Sequence, residues 1–230
     1  MTVKQMKTVK TLIEAMPWIR RFWGKVMVIQ PDGVTATSPR LRDLLAADIA
    51  LLRMVGMQPV VVEGVSSAKG FAGLVDGHGA TTVEVAGSGD DAEEAVAALP
   101  GLLEGERVPV VAAGESPLQV AGDLAAAAKA EKLVLMNDIG GLCVEQAHEI
   151  ILLPECDLST VGALTAAGRA APEVQGQLAA VRRALEAGVA SAHIIDGRVE
   201  HALLLEVLTD AGCGTKIVAA GGVASTALPL

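Results

Sequence analysis

Val26-Met27-Val28-Ile29 is apolar without a break, and similar runs return at Pro59 to Val62, at Val108 to Ala113 and, after Lys132, at Leu133 to Met136; Ala192 to Ile195 and Thr215 to Val218 read as further strands. A half-exposed strand would alternate polar and apolar residues. These runs do not, so each strand needs cover on both faces. Between them lie stretches with helical spacing. Ser38-Pro39 opens one that continues through Val55, with Leu41, Leu44, Leu45, Ile49, Leu52 and Met54 turned inward, serine at the cap and proline in the first turn. Asp90 to Leu103, Leu118 to Ala130, Leu178 to Ala187 and His201 to Leu208 read as further helices. Residues 68 to 93, rich in Gly, Thr and Val, read as a hairpin or loop region with a strand at Thr81 to Val85. Strands alternating with helices predict right-handed βαβ units. The expected class is therefore α/β, a three-layer sandwich around a mainly parallel central sheet.

At 230 residues the chain can bury the core of one large domain. No apolar run approaches the roughly 20 residues that span a bilayer. Lys4, Lys7 and Lys10 have no apolar segment behind them of the kind a secretory leader carries. Cys143, Cys156 and Cys213 are odd in number and lack metal-ligand spacing, which predicts reduced thiols in a cytoplasmic protein and no metal site. The net charge of −9 is unevenly spread: residues 1–25 carry six cations against Glu14 alone, and the remainder is strongly acidic. That sign, with only 2% aromatic residues, argues against nucleic acid as a partner.

The basic segment is itself a helix by spacing. From Thr8 to Trp23, Val9, Leu12, Ile13, Met16, Ile19, Phe22 and Trp23 form one wide apolar face, and Pro17 inside it is expected to kink or split the helix. Because it precedes the first strand, residues 1–23 form an appendage to a body at 24–230. Its apolar face either packs on its own domain or joins another copy in a homo-oligomer. Its basic side suits self-association or an acidic partner.

In open parallel sheets, ligands bind beyond the carboxyl ends of the strands. The first strand ends in Gln30-Pro31-Asp32-Gly33. There is no lysine here, Pro31 removes a backbone donor, and Asp32 adds negative charge where a phosphate would need donors. The second ends in Glu63-Gly64-Val65-Ser66-Ser67, a weak version of a phosphate-cradling loop with one glycine and an acid beside it. Asp32 and Glu63, at neighbouring strand ends, are either a carboxylate pair with one raised pKa or two solvated loop acids. If the cleft performs chemistry of its own, the candidate groups are Gln30, Asp32, Glu63, Ser66, His78 and Gln177.

Over Lys10 to Val62 and again over Val120 to Val218, the sequence resembles acetylglutamate kinases of the arginine pathway, members of the amino acid kinase fold. The likeness is carried by KTLIEAMPWIRRFWGKVMVI, LLRMVGMQPVVVEG, VAGDLAAAAKAEKLVLMNDIGGL and GVASAHIIDGRVEHALLLEVLTDAGCGTKIV. It implies that fold with an extra N-terminal helix, a substrate half at about 24–118 that is shortened around Ser66 to Gly79, and a nucleotide half at about 119–230. It also implies ATP or ADP with Mg as cofactor. Asn137-Asp138-Ile139-Gly140-Gly141 matches the family's Thr-Asp-x-x-Gly nucleotide turn through Asp138 and Gly141.

The resemblance further implies that the catalytic set has changed. The family's lysine after the first strand falls on Gln30, and the two glycines after it on Asp32 and Gly33. Its His-Gly-Gly-Gly loop falls on Glu63-Gly64-Val65-Ser66, and its Asn-x-Asn-Ala-Asp run on Gly114, Ser116 and Leu118. Its second phosphate-contacting lysine falls on Gln177, and its substrate arginine lies in the missing part. Arginine-inhibited members pair the N-terminal helix with a pocket whose His, Glu and Gly are matched in spacing by His193, Glu206 and Gly212. The implied protein is a pseudokinase, a regulatory or assembly subunit that binds nucleotide, arginine or a related kinase subunit. The rival is an enzyme that runs a different reaction on a small amino-acid-derived substrate. A third reading is a scaffold without a ligand.

Overall fold

A computed structural model describes residues 3–86, 93–114, 116–146, 149–210 and 212–219. Helix α1 (Val3–Phe22) leads into β1 (Val26–Gln30), the short α2 (Gly33–Thr37), α3 (Pro39–Met54), β2 (Gln58–Gly64), α4 (Val65–Gly77), β3 (Thr81–Ala86), α5 (Glu93–Leu103), β4 (Arg107–Ala113), α6 (Pro117–Ala127) and β5 (Lys132–Asn137). A hairpin of β6 (Cys143–Gln146) and β7 (Glu149–Leu152) follows, then β8 (Glu155–Asp157), α7 (Leu158–Ala166), α8 (Pro172–Glu186), β9 (Ser191–Asp196), α9 (Ala202–Leu208) and β10 (Gly214–Val218). The main sheet has eight strands in the order β3-β4-β2-β1-β5-β9-β10-β8. Its pairs are parallel except β9 with β10, where Lys216 faces His193 in antiparallel register.

The uninterrupted apolar runs are the central strands, and their side chains alternate between two cores. Val28, Val60, Val62, Leu133 and Leu135 face a layer built by α5, α6 and α8, whereas Met27, Ile29, Val61 and Val134 face α3, α4 and α9. The sandwich expected from the sequence is the one observed. Among the described residues no helix is long and apolar enough to cross a membrane.

Three expectations change. Much of the region read as hairpin or loop over residues 68 to 93 is α4. Its glycines lower helix propensity, but Ala68, Phe71, Ala72 and Val75 recur at helical spacing and all are buried, so tertiary packing overrides the local preference. The start expected for the next helix, residues 90 to 92, lies outside the described residues. Pro17 does not split the N-terminal helix, which runs through it at the cost of one backbone bond. The turn after β1 closes into α2, because Asp32 supplies a cap for it.

The end of α1 docks on the body. Phe22 is buried, Trp18 stacks on it at 6.1 Å, and Trp23 covers Gly56 so closely that a Cβ there would collide with the ring. Upstream, Val9, Leu12, Ile13 and Met16 are between 44% and 64% exposed. At the opposite end of this layer, the segment before α9 is clasped to α3. His201 Nδ1 meets the buried Asp48 carboxylate at 2.6 Å, Arg40 pairs with Glu200 at 2.6 Å, and Thr35 donates to the Gly197 carbonyl at 2.8 Å.

Candidate functional site

From β1 the sheet grows one way through β2 and β4 and the other way through β5 and β9, so the crevice expected of such a sheet opens beyond the carboxyl ends of β1 and β5. Gln30 ends β1 almost fully buried. Its Nε2 donates to the Pro31 carbonyl at 2.6 Å, and its Oε1 finds no partner among the described residues. Asp32 Oδ1 accepts from the Gly33 amide at 2.7 Å, and Asp138 Oδ1 from the Val34 amide at 2.8 Å. The first amides of α2 therefore point at two carboxylates of the chain itself. Gly33 has φ +57, and a Cβ there would run into the Asp138 carboxylate.

Beside this lies a neutral amide ladder. Asn137 Nδ2 donates to Gln177 Oε1 at 2.9 Å, and Gln177 Nε2 donates to the Met136 carbonyl at 3.0 Å. Asn137 Oδ1 accepts from the amides of Ile139 and Gly140, which folds the turn back on the strand. Gly141, at φ +124, leaves no room for a Cβ against Thr215 and Leu152. Asn137 and Gly141 thus hold the turn together, and Asp138 ties it to the start of α2. Among the described residues, no group of three His, Cys, Asp or Glu side chains is placed to hold a metal ion.

The other proposed acid faces the opposite layer. Glu63 is 2% exposed and bonded to Arg42 Nη1 at 3.0 Å, while Ser67 Oγ donates to it at 2.5 Å. An Asp32–Glu63 carboxylate pair is not what the structure builds: one acid caps a helix and the other takes a guanidinium. Ser66 is exposed at the start of α4, and His78, at its other end, meets Asp43 at 2.9 Å.

His193, Glu206 and Gly212 come together in a cavity of about 360 Å³ that the end of α1 closes with Trp18, Arg21 and Phe22. Nδ1 of His193 meets Glu206 Oε1 at 2.5 Å, and the Cys213 amide donates to Glu206 Oε2 at 2.9 Å. Lys132 Nζ reaches His193 Nε2 at 3.0 Å, with its ammonium 5.1 Å from the Phe22 ring. Ser191 Oγ lies 2.9 Å from the same nitrogen. Burial, foremost, drives His193 below its ordinary range, which favours the neutral imidazole. With Nδ1 assigned as the donor to Glu206, Nε2 is left to accept from Lys132. Burial opposes the charge on Glu206, but its bonds to His193 and Cys213 outweigh this and hold the carboxyl below the usual carboxylate range. Burial likewise pushes Lys132 down to about 8. Gly212, at φ +59, is where a Cβ would press on Glu206 Oε2.

Four residues of these sites were missed in the sequence. Lys132 opens an otherwise apolar strand, and Ser191 stands two residues before His193 and hence on the same face; both signals were available. Arg42 and Ser67 look like ordinary surface residues of helices until the fold turns them towards Glu63.

An eight-stranded, mostly parallel sheet with this crevice defines a protein of the amino acid kinase fold. The carbamate kinase of Giardia lamblia bound to AMP-PNP superposes with a TM-score of 0.65 at 12% identity, covering 85% of this chain and 98% of that one. The N-acetylglutamate synthase of Neisseria gonorrhoeae with coenzyme A and N-acetyl-glutamate gives 0.74 at 23% identity over 91% of this chain, which spans only 63% of the synthase. The same synthase with coenzyme A and L-arginine gives 0.70 at 22% identity. No protein-family model matches the chain. Within the fold, this chain belongs to the acetylglutamate kinase family. It is 34% identical to the acetylglutamate kinase of Synechococcus sp. (strain CC9311), over 93% of this chain and 98% of that one, and 30% identical to that of Mycobacterium marinum, over 96% and 100%. The first alignment runs to 279 positions against a chain of 230 residues, so the relative carries several tens of residues that this chain lacks.

The closeness of Gly33 to Asp138 can be checked by a double-mutant cycle in urea. Gly33→Ala is expected to destabilise the protein by about 1–3 kcal/mol through the strained φ and the lost close approach. In an Asp138→Ala background the penalty should shrink to the backbone part alone, and equal penalties in both backgrounds would show that the two groups do not press on each other.

Proposed function

We propose that this chain is a catalytically silent member of the acetylglutamate kinase family, a regulatory or assembly subunit linked to arginine metabolism. One observation carries the reading: the Gly33 and Val34 amides, which in a nucleotide-binding turn would face phosphate, are bonded to the carboxylates of Asp32 and Asp138. Kinases of this family use ATP with Mg, and phosphoryl transfer depends on cations and free amides around a highly charged transition state. The residues here do not fit a triphosphate. Two acids stand on the donors, and Gln30 and Gln177 are neutral, buried and already engaged with backbone carbonyls.

The regulatory half of the reading rests on the cavity under α1. Its walls carry the Glu206 carboxylate beside Arg21, Lys132 and Lys216, groups of both signs that suit an amino acid such as arginine. The synthase of the same fold, captured with L-arginine, supports that choice of ligand. The exposed stripe of Val9, Leu12, Ile13 and Met16 on α1 supports self-association, or docking of a related kinase subunit, beside the same pocket.

Incubated with ATP, Mg and acetylglutamate under acyl-phosphate trapping, the protein is expected to show no turnover above background. Loss of a single charge-stabilising donor already costs about 10²–10³ in rate, and Gln30→Lys with Gln177→Lys should not recover it. Turnover in the ordinary range of about 1–10³ per second would overturn the silent-subunit reading. Calorimetry should detect L-arginine binding to the wild type and a loss of about 10- to 100-fold in Glu206→Gln. A wild type that ignores millimolar arginine removes the pocket from the account. Removing residues 1–23 should lower the assembly mass in light scattering, and an unchanged mass would assign the helix to its own subunit.

A further inference from the structure

Glu63 ends a strand that is apolar and buried along its length, and a buried carboxylate is unfavourable unless it is paired and hydrogen-bonded. Its partners come from two helices. Arg42 Nη1, from α3, lies 3.0 and 3.3 Å from the two carboxylate oxygens, and Ser67 Oγ, from α4, donates to Oε2 at 2.5 Å. The guanidinium is also fixed independently of Glu63. Nη1 donates to the Ala36 carbonyl at 2.9 Å, Nη2 to the Ser67 carbonyl at 3.3 Å, and Cζ lies 5.0 Å from the Phe71 ring. Ser67 Oγ keeps a second acceptor at the Gly64 carbonyl, 3.0 Å away. These supports remain if Glu63 is removed.

A guanidinium held in place by carbonyls and an aromatic face, with a hydroxyl donor alongside, recognises a carboxylate whatever molecule carries it. Here the carboxylate belongs to the chain. We propose that Arg42 and Ser67 form a binding site for small carboxylates that the chain fills with its own Glu63. This concerns carboxylate recognition and not phosphate chemistry, so its outcome and that of the silent-subunit reading can be told apart. Phosphotransfer in the trapping assay would not touch it.

The discriminating variant is Glu63→Ala, which removes the carboxylate and leaves space for one. Its melting temperature is expected to fall well below that of the wild type and to climb back as sodium acetate is raised through the millimolar range. Sodium chloride at equal ionic strength should not restore it. Calorimetry should register acetate binding to Glu63→Ala, none to the wild type, whose site is full, and none to the Arg42→Met/Glu63→Ala double variant. Glu63→Gln, which keeps the shape but not the charge, should fold and ignore acetate. A Glu63→Ala protein that folds only in acetate supports the proposal. One that folds and does not respond, or that stays unfolded in acetate while Glu63→Gln folds, overturns it and leaves an ordinary buried ion pair.

Discussion

A carboxylate or amide inside a sheet that is covered on both faces has no water to turn to. Strands β1, β2, β4, β5 and β9 are buried almost from end to end, so their polar residues gather at the first and last positions, with Gln58, Arg107, Lys132 and Ser191 at the starts. Gln30, Glu63, Asn137 and Asp196 all stand at the carboxyl ends. The fold therefore places polar side chains in one line along the carboxyl edge of the sheet, and the helices behind decide which of them finds a partner. His193 is the exception, a polar side chain in mid-strand. It is tolerated because Glu206, Lys132 and Ser191 surround it.

The chain answers each buried charge from within. Arg42 meets Glu63, the ammonium of Lys132 and the carboxylate of Glu206 bracket His193, and His201 meets Asp48. Burial still dominates at Asp48, pushing its carboxyl up to about 6 in spite of His201. Breaking any of these contacts from one side leaves an uncompensated charge in a low-dielectric interior. They fix the helices to the sheet more by that penalty than by the strength of the attraction.

The sandwich could be read from the sequence because both-face burial leaves an unbroken apolar run, a signal local in the chain. Helix α4 could not be read as easily: its glycines speak against a helix, and only the buried quartet at Ala68, Phe71, Ala72 and Val75 speaks for one. The convergence of His193, Glu206 and Gly212 followed from a likeness in spacing, and the chain's own geometry supplies the reason for it. The strand and helix that carry the first two are consecutive, and the loop after the helix returns Cys213 to the Glu206 carboxylate. The Arg42–Glu63 pair had no such local trace. It joins a helix face to a strand end 21 residues away, and only the packing of α3 and α4 over β2 determines that they meet.

The two sites differ in what remains open. At the β1–β5 crevice the donors that could take a phosphate point at internal acids, and the neutral amides of Asn137 and Gln177 bond each other. Under α1, Glu206 and Lys132 bond His193 and Lys216 bonds Glu155, but these groups also line an open cavity. Arg21, Lys132 and Lys216 line a cavity together with Glu131, Glu155 and Glu206, so groups of both signs face the same space. A zwitterion could satisfy both sets at once, as no single ion could. Trp18, Arg21 and Phe22 of that wall come from α1, whose upstream face lies exposed, so any partner that moves α1 also reshapes the pocket. If a ligand occupies that pocket, its binding and any movement of α1 are linked.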